Sequence, residues 1–343
     1  MSELLSTSVT KKISKKSIEE DLINILHKKF GERFLNYRKK YSEYLHKKKS
    51  NEILDYPISV ILELVNRCNL ECTMCYQGFR NDTDKSVLSD NDLKRLFEEF
   101  KENKLDALLL STSEPLLYKK FPTIVEMAEE AQIMDIFMFT NGILLNEKNS
   151  EIILNSSITR LFVSIDAATE KTYDKVRIPV NKKIINTGRL KKLEENIIQF
   201  IEKRNQMNKS LPLVRVSFVA LDKNKHEITQ FVKKWENIVD SVEIQNENSI
   251  NLYDKLSSKK PQERKLKHYK CDEPWGQITI HADGTVGPCC NTVGRKTPVG
   301  NIKKQSLKSI WKGKQLNKIR DGFIKNNPNQ VCQLCIENVN KII

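Results

Sequence analysis

Ile58-Ser59-Val60-Ile61-Leu62-Glu63-Leu64-Val65 runs through Asn66-Arg67 into Cys68-Asn69-Leu70-Glu71-Cys72-Thr73-Met74-Cys75. The first part is a short apolar run rich in β-branched residues, the pattern of a buried strand. The second is C-x3-C-x2-C on what must be a tight loop. Three thiolates so placed can hold three irons of a [4Fe–4S] cube and leave the fourth iron without a protein ligand. An open coordination position marks a catalytic centre rather than a structural one. A zinc knuckle, the alternative, wants a fourth Cys or His nearby. His46 precedes the strand, and the next histidine after Cys75 is His226.

Outward from that strand, short β-type runs alternate with longer amphipathic stretches as far as residue 246. Strands are predicted at Ile58–Val65, Ala107–Ser111, Ile136–Phe139, Arg160–Ile165, Val214–Val219 and Ser241–Gln245. Helices are predicted at Asn91–Lys104, opened by Ser89 and Asp92 at capping-box spacing, and at Phe121–Ala131, Leu190–Met207 and Lys225–Ile238. This is an α/β alternation, and it calls for a parallel sheet with right-handed crossovers. The reading adopted is a six-unit partial barrel; the pattern alone also fits a doubly wound sheet. In both, function gathers at the C-terminal ends of the strands.

The flanks differ. Residues 1–55 read as a helical, basic leader, with Leu22, Ile25, Leu26 and Phe30 at helical spacing and Phe34, Tyr37, Tyr41 and Tyr44 continuing the period. Residues 56–246 form the α/β domain and 247–270 a connector. Residues 271–343 form a small domain with short strands near Gln277–His281 and Val286–Pro288, an Asp283-Gly284 turn and a short helix near Leu307–Arg320. Its cysteines Cys271, Cys289, Cys332 and Cys335 are spaced C-x17-C…C-x2-C, with Cys290 adjacent to Cys289. Four thiolates can saturate a [4Fe–4S] cluster or a zinc ion, and spacing does not separate the two.

The chain has 343 residues, 58 Lys+Arg against 44 Asp+Glu and eight cysteines, enough for about two domains. No apolar run approaches the roughly 18 residues of a membrane span. No signal-peptide core opens the chain, so a cytoplasmic location without membrane contact is expected. Clustered cysteines in a reducing compartment point to metal rather than disulfides. Of the net +14, residues 1–50 hold 13 Lys+Arg against 6 Asp+Glu, or +7, and the remaining +7 is spread over 293 residues. That reads as a solvated lysine-rich segment rather than a nucleic-acid site.

With both cysteine groups and the strand order in view, the chain resembles a radical SAM enzyme, whose motif is C-x3-C-x2-C at the end of the first strand of a partial (β/α)6 TIM-type barrel. The resemblance covers roughly residues 56–246. It implies that Cys68, Cys72 and Cys75 hold a [4Fe–4S] cluster whose open iron chelates S-adenosylmethionine. An electron from an external donor such as flavodoxin or ferredoxin then cleaves the sulfonium, and the 5′-deoxyadenosyl radical takes hydrogen from the substrate. The cofactors carry the difficult chemistry.

Further motifs follow in family order. Ser111-Thr112-Ser113-Glu114-Pro115 stands where the family usually has Gly-Gly-Glu-Pro, and the resemblance places its backbone and Glu114 at the methionine amino group. Thr140-Asn141-Gly142 follows the third strand. Ser164-Ile165-Asp166 resembles a Ser-x-Asp facing the ribose, and Arg177 aligns with an arginine near the cofactor carboxylate. Met74 replaces the common aromatic beside the adenine, and a flexible thioether can fill that space. Residues 271–343 resemble a SPASM domain in its shortened twitch form, with one auxiliary [4Fe–4S] cluster. Cys271, Cys289, Cys332 and Cys335 are its implied ligands and Cys290 the spare, since neighbours in an extended segment face opposite sides.

The auxiliary spacing is similar to that of inosamine dehydrogenases. That implies hydrogen abstraction from a sugar, aminosugar or cyclitol, ending in oxidation or epimerisation. The alternatives are a SPASM-type peptide or protein maturase, against which a helical residues 1–50 would count, and a non-catalytic zinc module binding nucleic acid. No general base is legible. Tyr76, Gln77, Arg80, Arg215 and Gln245 lie on the cysteine loop or predicted strands, where solvation explains them equally well.

Overall fold

A computed structural model describes residues 9–14, 16–45, 52–75, 85–247, 268–289 and 295–339. The six predicted strands form as β2 (Ser59–Leu62), β3 (Ala107–Leu110), β4 (Asp135–Thr140), β5 (Arg160–Ser164), β6 (Leu213–Ala220) and β7 (Ser241–Asn246), each parallel to the next. Helices α3 (Asp90–Glu102), α4 (Phe121–Glu130), α5 (Glu147–Leu154), α6 (Glu170–Val176), α7 (Arg189–Gln206) and α8 (Ile228–Trp235) lie between them. This is the partial barrel, not a doubly wound sheet. The predicted capping box holds: Ser89 Oγ accepts from Asp92 N at 3.1 Å and opens α3. Helices α5 and α6, with eight and seven residues, were not legible as apolar periods.

The two faces of the sheet have different chemistry because side chains alternate along a strand. Val163 and Phe218 face outward toward α7 and α8; the Phe218 and Phe231 ring centroids lie 5.0 Å apart. The inner face carries Arg160 stacked on Phe137 at 4.5 Å, Arg215 on Phe162 at 4.2 Å, and an Arg215–Glu243 ion pair.

One expectation fails at the N-terminus. Val9–Ser14, read as helical, is strand β1, antiparallel to β7 with Ile13 opposite Val242. Its strand character comes from pairing with a segment more than 200 residues away, which a local period cannot register. Helices α1 (Lys16–Phe30) and α2 (Glu32–Leu45) do form. They close the N-terminal end of the barrel rather than standing apart as a leader. Tyr37 OH donates to Asp135 Oδ2 at 3.1 Å, Arg33 donates to the Gln132 and Leu105 carbonyls, and Lys40 pairs with Asp106. Part of the excess positive charge is thus spent on carboxylates and carbonyls of the barrel itself.

The C-terminal segment adds α9 (Glu273–Gly276), β8 (Gln277–Ile280), β9 (Thr285–Gly287), β10 (Gly300–Asn301), α10 (Leu307–Trp311), α11 (Lys314–Ile324) and α12 (Gln330–Val339). The predicted Asp283-Gly284 turn forms, with Gly284 at φ +87°. The predicted single helix is two, interrupted at Gly313, where a Cβ would lie 2.9 Å from the Ser309 carbonyl. Strand β8 pairs in parallel with β2, Ser59 opposite Gln277, so the ten strands make one sheet in the order β1-β7-β6-β5-β4-β3-β2-β8-β9-β10.

Candidate active site

The cysteine loop leaves the C-terminal end of β2 and is stitched to the segment after α6. Glu71 N donates to Ile178 O at 2.7 Å, Thr73 N to Val176 O at 3.1 Å, and Val180 N to Asn69 O at 3.1 Å. Leu70, Cys72, Met74, Val176 and Leu221 form a small apolar cluster of their own, apart from the main core, and Cys68 and Cys75 pack against it. Met74 therefore faces this cluster. Cys68 Sγ accepts from Leu70 N at 3.4 Å and Asn141 Nδ2 at 3.6 Å; Cys72 Sγ accepts from Arg177 Nη1 at 3.4 Å. Burial, then the Glu114 charge, pushes the Cys68 thiol up to about 12, with Cys72 and Cys75 adding to the shift.

Glu114 follows β3 and has internal partners that the sequence did not signal. Its carboxylate is buried and committed: Oε1 accepts from Thr140 Oγ1 at 2.8 Å and Leu116 N at 3.2 Å, Oε2 from Asn141 N at 2.8 Å. It braces the end of β3 to the end of β4, and burial raises its pKa to about 7 against those donors. The Thr140-Asn141-Gly142 turn that it holds brings Asn141 Nδ2 within 2.7 Å of Asn69 Oδ1, steadying the cysteine loop. Pro115 opens the 3-10 turn that Glu114 caps, and Ser113 Oγ donates to Val65 O.

Asp166 is likewise turned inward. It is fully buried, accepts from Val219 N at 2.7 Å and pairs with Arg177. Burial raises its pKa, opposed by Arg177. Arg177 forks between Asp166 and Cys72 and keeps Nε, a buried donor, without a partner. Ser164 stays half-buried, its Oγ 3.5 Å from Ser217 Oγ. Sequence reasoning missed the support behind this end of the site. Glu227 accepts from Ala168 N, Thr169 Oγ1 and Thr172 Oγ1, each at 2.6 Å, and Asn224 donates to Asp166 O at 2.9 Å.

In the C-terminal segment, burial, then the Glu273 charge, raises the Cys271 pKa, with Cys289 and Cys335 adding to the shift. Cys332 lies one turn before Cys335 on α12, and burial pushes its thiol up to about 11. Thr279 Oγ1 donates to Cys289 O at 2.7 Å, tying that cysteine to β8. Beside it is a feature the sequence did not signal: buried Glu63, after β2, pairs with Arg295, lies 3.4 Å from His281 Nδ1 and accepts from Ala282 N at 3.1 Å. Tyr76, Gln77, Arg80 and Cys290 lie outside the described residues.

Two family models match this chain: the radical SAM superfamily over residues 62–204, and the SPASM iron–sulfur cluster-binding domain over residues 271–336. It is a radical SAM protein with a C-terminal SPASM-type domain. A relative from Methanococcus maripaludis strain C5, named "Probable GTP 3′,8-cyclase", is 29% identical over 161 residues, 47% of this chain and 49% of that protein. The chain spans about half the length of the curated relatives it matches. Among solved structures, SuiB of Streptococcus suis bound to precursor peptide SuiA gives a TM-score of 0.57 at 16% identity, covering 91% of this chain and 77% of that one. BtrN in complex with AdoMet and 2-DOIA gives 0.50 at 16%, covering 78% and 87%. At these identities the likenesses establish the fold.

A radical SAM protein of this build takes [4Fe–4S] clusters and S-adenosylmethionine as cofactors. The donor set fits them. Among the described residues, no three His, Cys, Asp or Glu side chains gather around a point suited to one metal ion. Cys68, Cys72 and Cys75 share one small apolar cluster while Cys271 and Cys332 pack against the main core, two groups of thiols as two clusters require. The unpartnered Arg177 Nε suits a carboxylate. Among the described residues, no helix is long and apolar enough to cross a membrane.

Proposed function

We propose that this radical SAM enzyme abstracts hydrogen from a polar small molecule, a sugar, aminosugar or cyclitol, and oxidises or epimerises it. The observation that carries this reading is the polar inner face at the C-terminal ends of the strands. It holds Gln245, which donates to Glu243, Ser164 beside Ser217, and the Glu63–His281 pair, with the Arg215–Glu243 pair deeper along β6 and β7. Hydroxyl and amino groups need such partners, because a buried polar group without one costs about 1–3 kcal/mol.

In this reading Cys68, Cys72 and Cys75 hold the catalytic cluster and Cys271, Cys289, Cys332 and Cys335 the auxiliary one. Arg177 Nε meets the S-adenosylmethionine carboxylate and Ser164 Oγ a ribose hydroxyl. Met74 packs toward the adenine, and the backbone at Ser113 takes the amino group. Glu114, Thr140, Asn141 and Asp166 act behind them as braces. When bound and reduced by an external flavodoxin or ferredoxin, the catalytic cluster supplies the electron that releases methionine and the hydrogen-abstracting 5′-deoxyadenosyl radical. The four cysteines of the SPASM-type domain would hold an auxiliary cluster, which would supply an acceptor for the electron that oxidation leaves behind.

Peptide maturation is the second reading. Strand β1 removes the argument that the N-terminal region is wholly helical. Deuterium transfer into 5′-deoxyadenosine decides between them. Transfer from perdeuterated cyclitols or aminosugars supports the first reading; transfer only from peptides overturns it in favour of the second. Anaerobic reconstitution should give about eight irons per chain. About four or fewer sinks the two-cluster assignment, and a colourless zinc protein sinks both readings.

A further inference from the structure

We propose that Arg177 tunes the reduction equilibrium of the catalytic cluster through its hydrogen bond to Cys72, with Asp166 fixing its aim. This rests on the assignment of Cys72 as a cluster ligand. The family resemblance placed Arg177 at the cofactor carboxylate alone. The structure instead sets Nη1 3.4 Å from Cys72 Sγ, and Nη2 on Asp166.

Three features make this a built contact rather than a chance approach. Asp166 cannot swing away, because it is fully buried and its other oxygen holds Val219 N at 2.7 Å. The Arg177 backbone is pinned on both sides: its N–H donates to Tyr173 O at 2.7 Å, and its carbonyl accepts from Arg189 Nη2 at 2.8 Å. Arg189 is itself held by Asp174 at 2.6 Å and stacks on Tyr173 at 4.9 Å. Finally, the Arg177 side chain is 11% exposed, so water screens little of its charge.

The consequence follows from electrostatics. One-electron reduction adds a negative charge that spreads over the cluster and its thiolate sulfurs. A cationic donor on one of those sulfurs favours the reduced form, and hydrogen bonds to ligand sulfurs are among the levers that set cluster potentials. Asp166 offsets part of the field but keeps the guanidinium on the sulfur. Arg177 is thus a positioning residue that acts through Cys72, while its Nε remains free for the carboxylate.

The test is an EPR-monitored redox titration of the reconstituted holoenzyme without S-adenosylmethionine, following the signal that later addition of S-adenosylmethionine perturbs. Iron content is matched between samples. Arg177→Gln should lower the reduction equilibrium constant about tenfold, a negative shift of about 59 mV for one electron. Arg177→Lys, which keeps the charge but not the fork, should shift it less in the same direction. Lys225→Gln, which removes an exposed charge paired with Asp222, should leave it unchanged. If Arg177→Gln does not retain its cluster, Arg177→Lys alone decides. An unshifted potential in a variant with full iron content overturns the inference, and weakened S-adenosylmethionine binding in that variant would assign the arginine to the carboxylate alone. A wild-type protein without the three-cysteine cluster would instead overturn the underlying assignment.

Discussion

Gly142 and Gly188 are a matched pair for separating backbone strain from crowding. Both are left-handed, at φ +72° and +73°. A Cβ on Gly188 meets nothing within 4 Å, whereas one on Gly142 would lie 2.5 Å from Leu193 Cδ1 and 2.8 Å from Val163 Cγ1. Alanine in the left-handed region costs about 1–2 kcal/mol, of which about 0.4–1 returns through the stiffer unfolded chain. Gly188→Ala should therefore cost about 1 kcal/mol. Gly142→Ala carries the same cost plus about 1–3 kcal/mol of overpacking, for a total of about 2–4 kcal/mol. Leu193 sits on α7 and Val163 inside β5, so neither can retreat without disturbing the core. The assay is urea unfolding of both variants under anaerobic conditions, compared at matched m-values. Leu193→Val, which removes the nearer methyl, should recover part of the loss in the Gly142→Ala background. Equal destabilisation of the two glycine variants would refute the reasoning, because crowding at Gly142 would then contribute nothing.

Three further outcomes are expected. Thr112, a β-branched residue at φ +75° where the family usually has glycine, should gain about 1 kcal/mol on replacement by Gly, read as a higher urea midpoint; a lower midpoint contradicts the strain. Glu63→Ala leaves Arg295 and His281 without their carboxylate and should cost about 3–5 kcal/mol at neutral pH. Burial alone would raise the Glu63 pKa, but His281, Arg295 and the Ala282 amide hold it below the ordinary glutamate value. Its stabilisation is therefore complete above that ordinary value and lost as pH falls through the folded one, so the gap to Glu63→Ala must close on acidification; a gap that widens would reverse the sign. Asn141→Ala removes the contacts to Asn69 and Cys68 and the acceptor of Ile143 N; it should cost the metal-free chain about 1–3 kcal/mol and slow cluster reconstitution, followed by visible absorbance, and an unchanged reconstitution rate contradicts its role at the cysteine loop.

The parts of this protein readable from its sequence are local. The C-x3-C-x2-C loop is eight consecutive residues, and the strands of the barrel announce themselves as β-branched runs. The SPASM-type domain was readable because its cysteines cluster in sequence and resemble a known family; their spacing alone fits a zinc ion equally well. Contacts between distant segments escaped. Glu63 meets Arg295 across 232 positions, and no period or motif links them. Glu114 and Asp166 were found as motif members, but their bracing contacts to Thr140, Asn141, Leu116, Val219 and Arg177 were not foreseen. Whether a carboxylate faces a ligand or holds the next loop depends on which backbone amides converge on it, and those amides carry no sequence signature. Strand β1 illustrates the same limit, since only β7 makes it a strand.

Strand β8 closes the account of how the two cysteine groups relate. Four residues of it ladder onto β2, the strand that delivers Cys68, and Thr279 within it holds the Cys289 carbonyl. Glu99 on α3 caps α10 through Leu307 N at 2.9 Å and Lys308 N at 2.6 Å. The small domain is thus welded to the barrel, not hung from it. A clamshell motion that opened the gap between the cysteine groups would have to break that ladder. The separation of the strand that leads to Cys68 from the strand that holds the Cys289 carbonyl is consequently set by main-chain pairing, as rigid as a sheet.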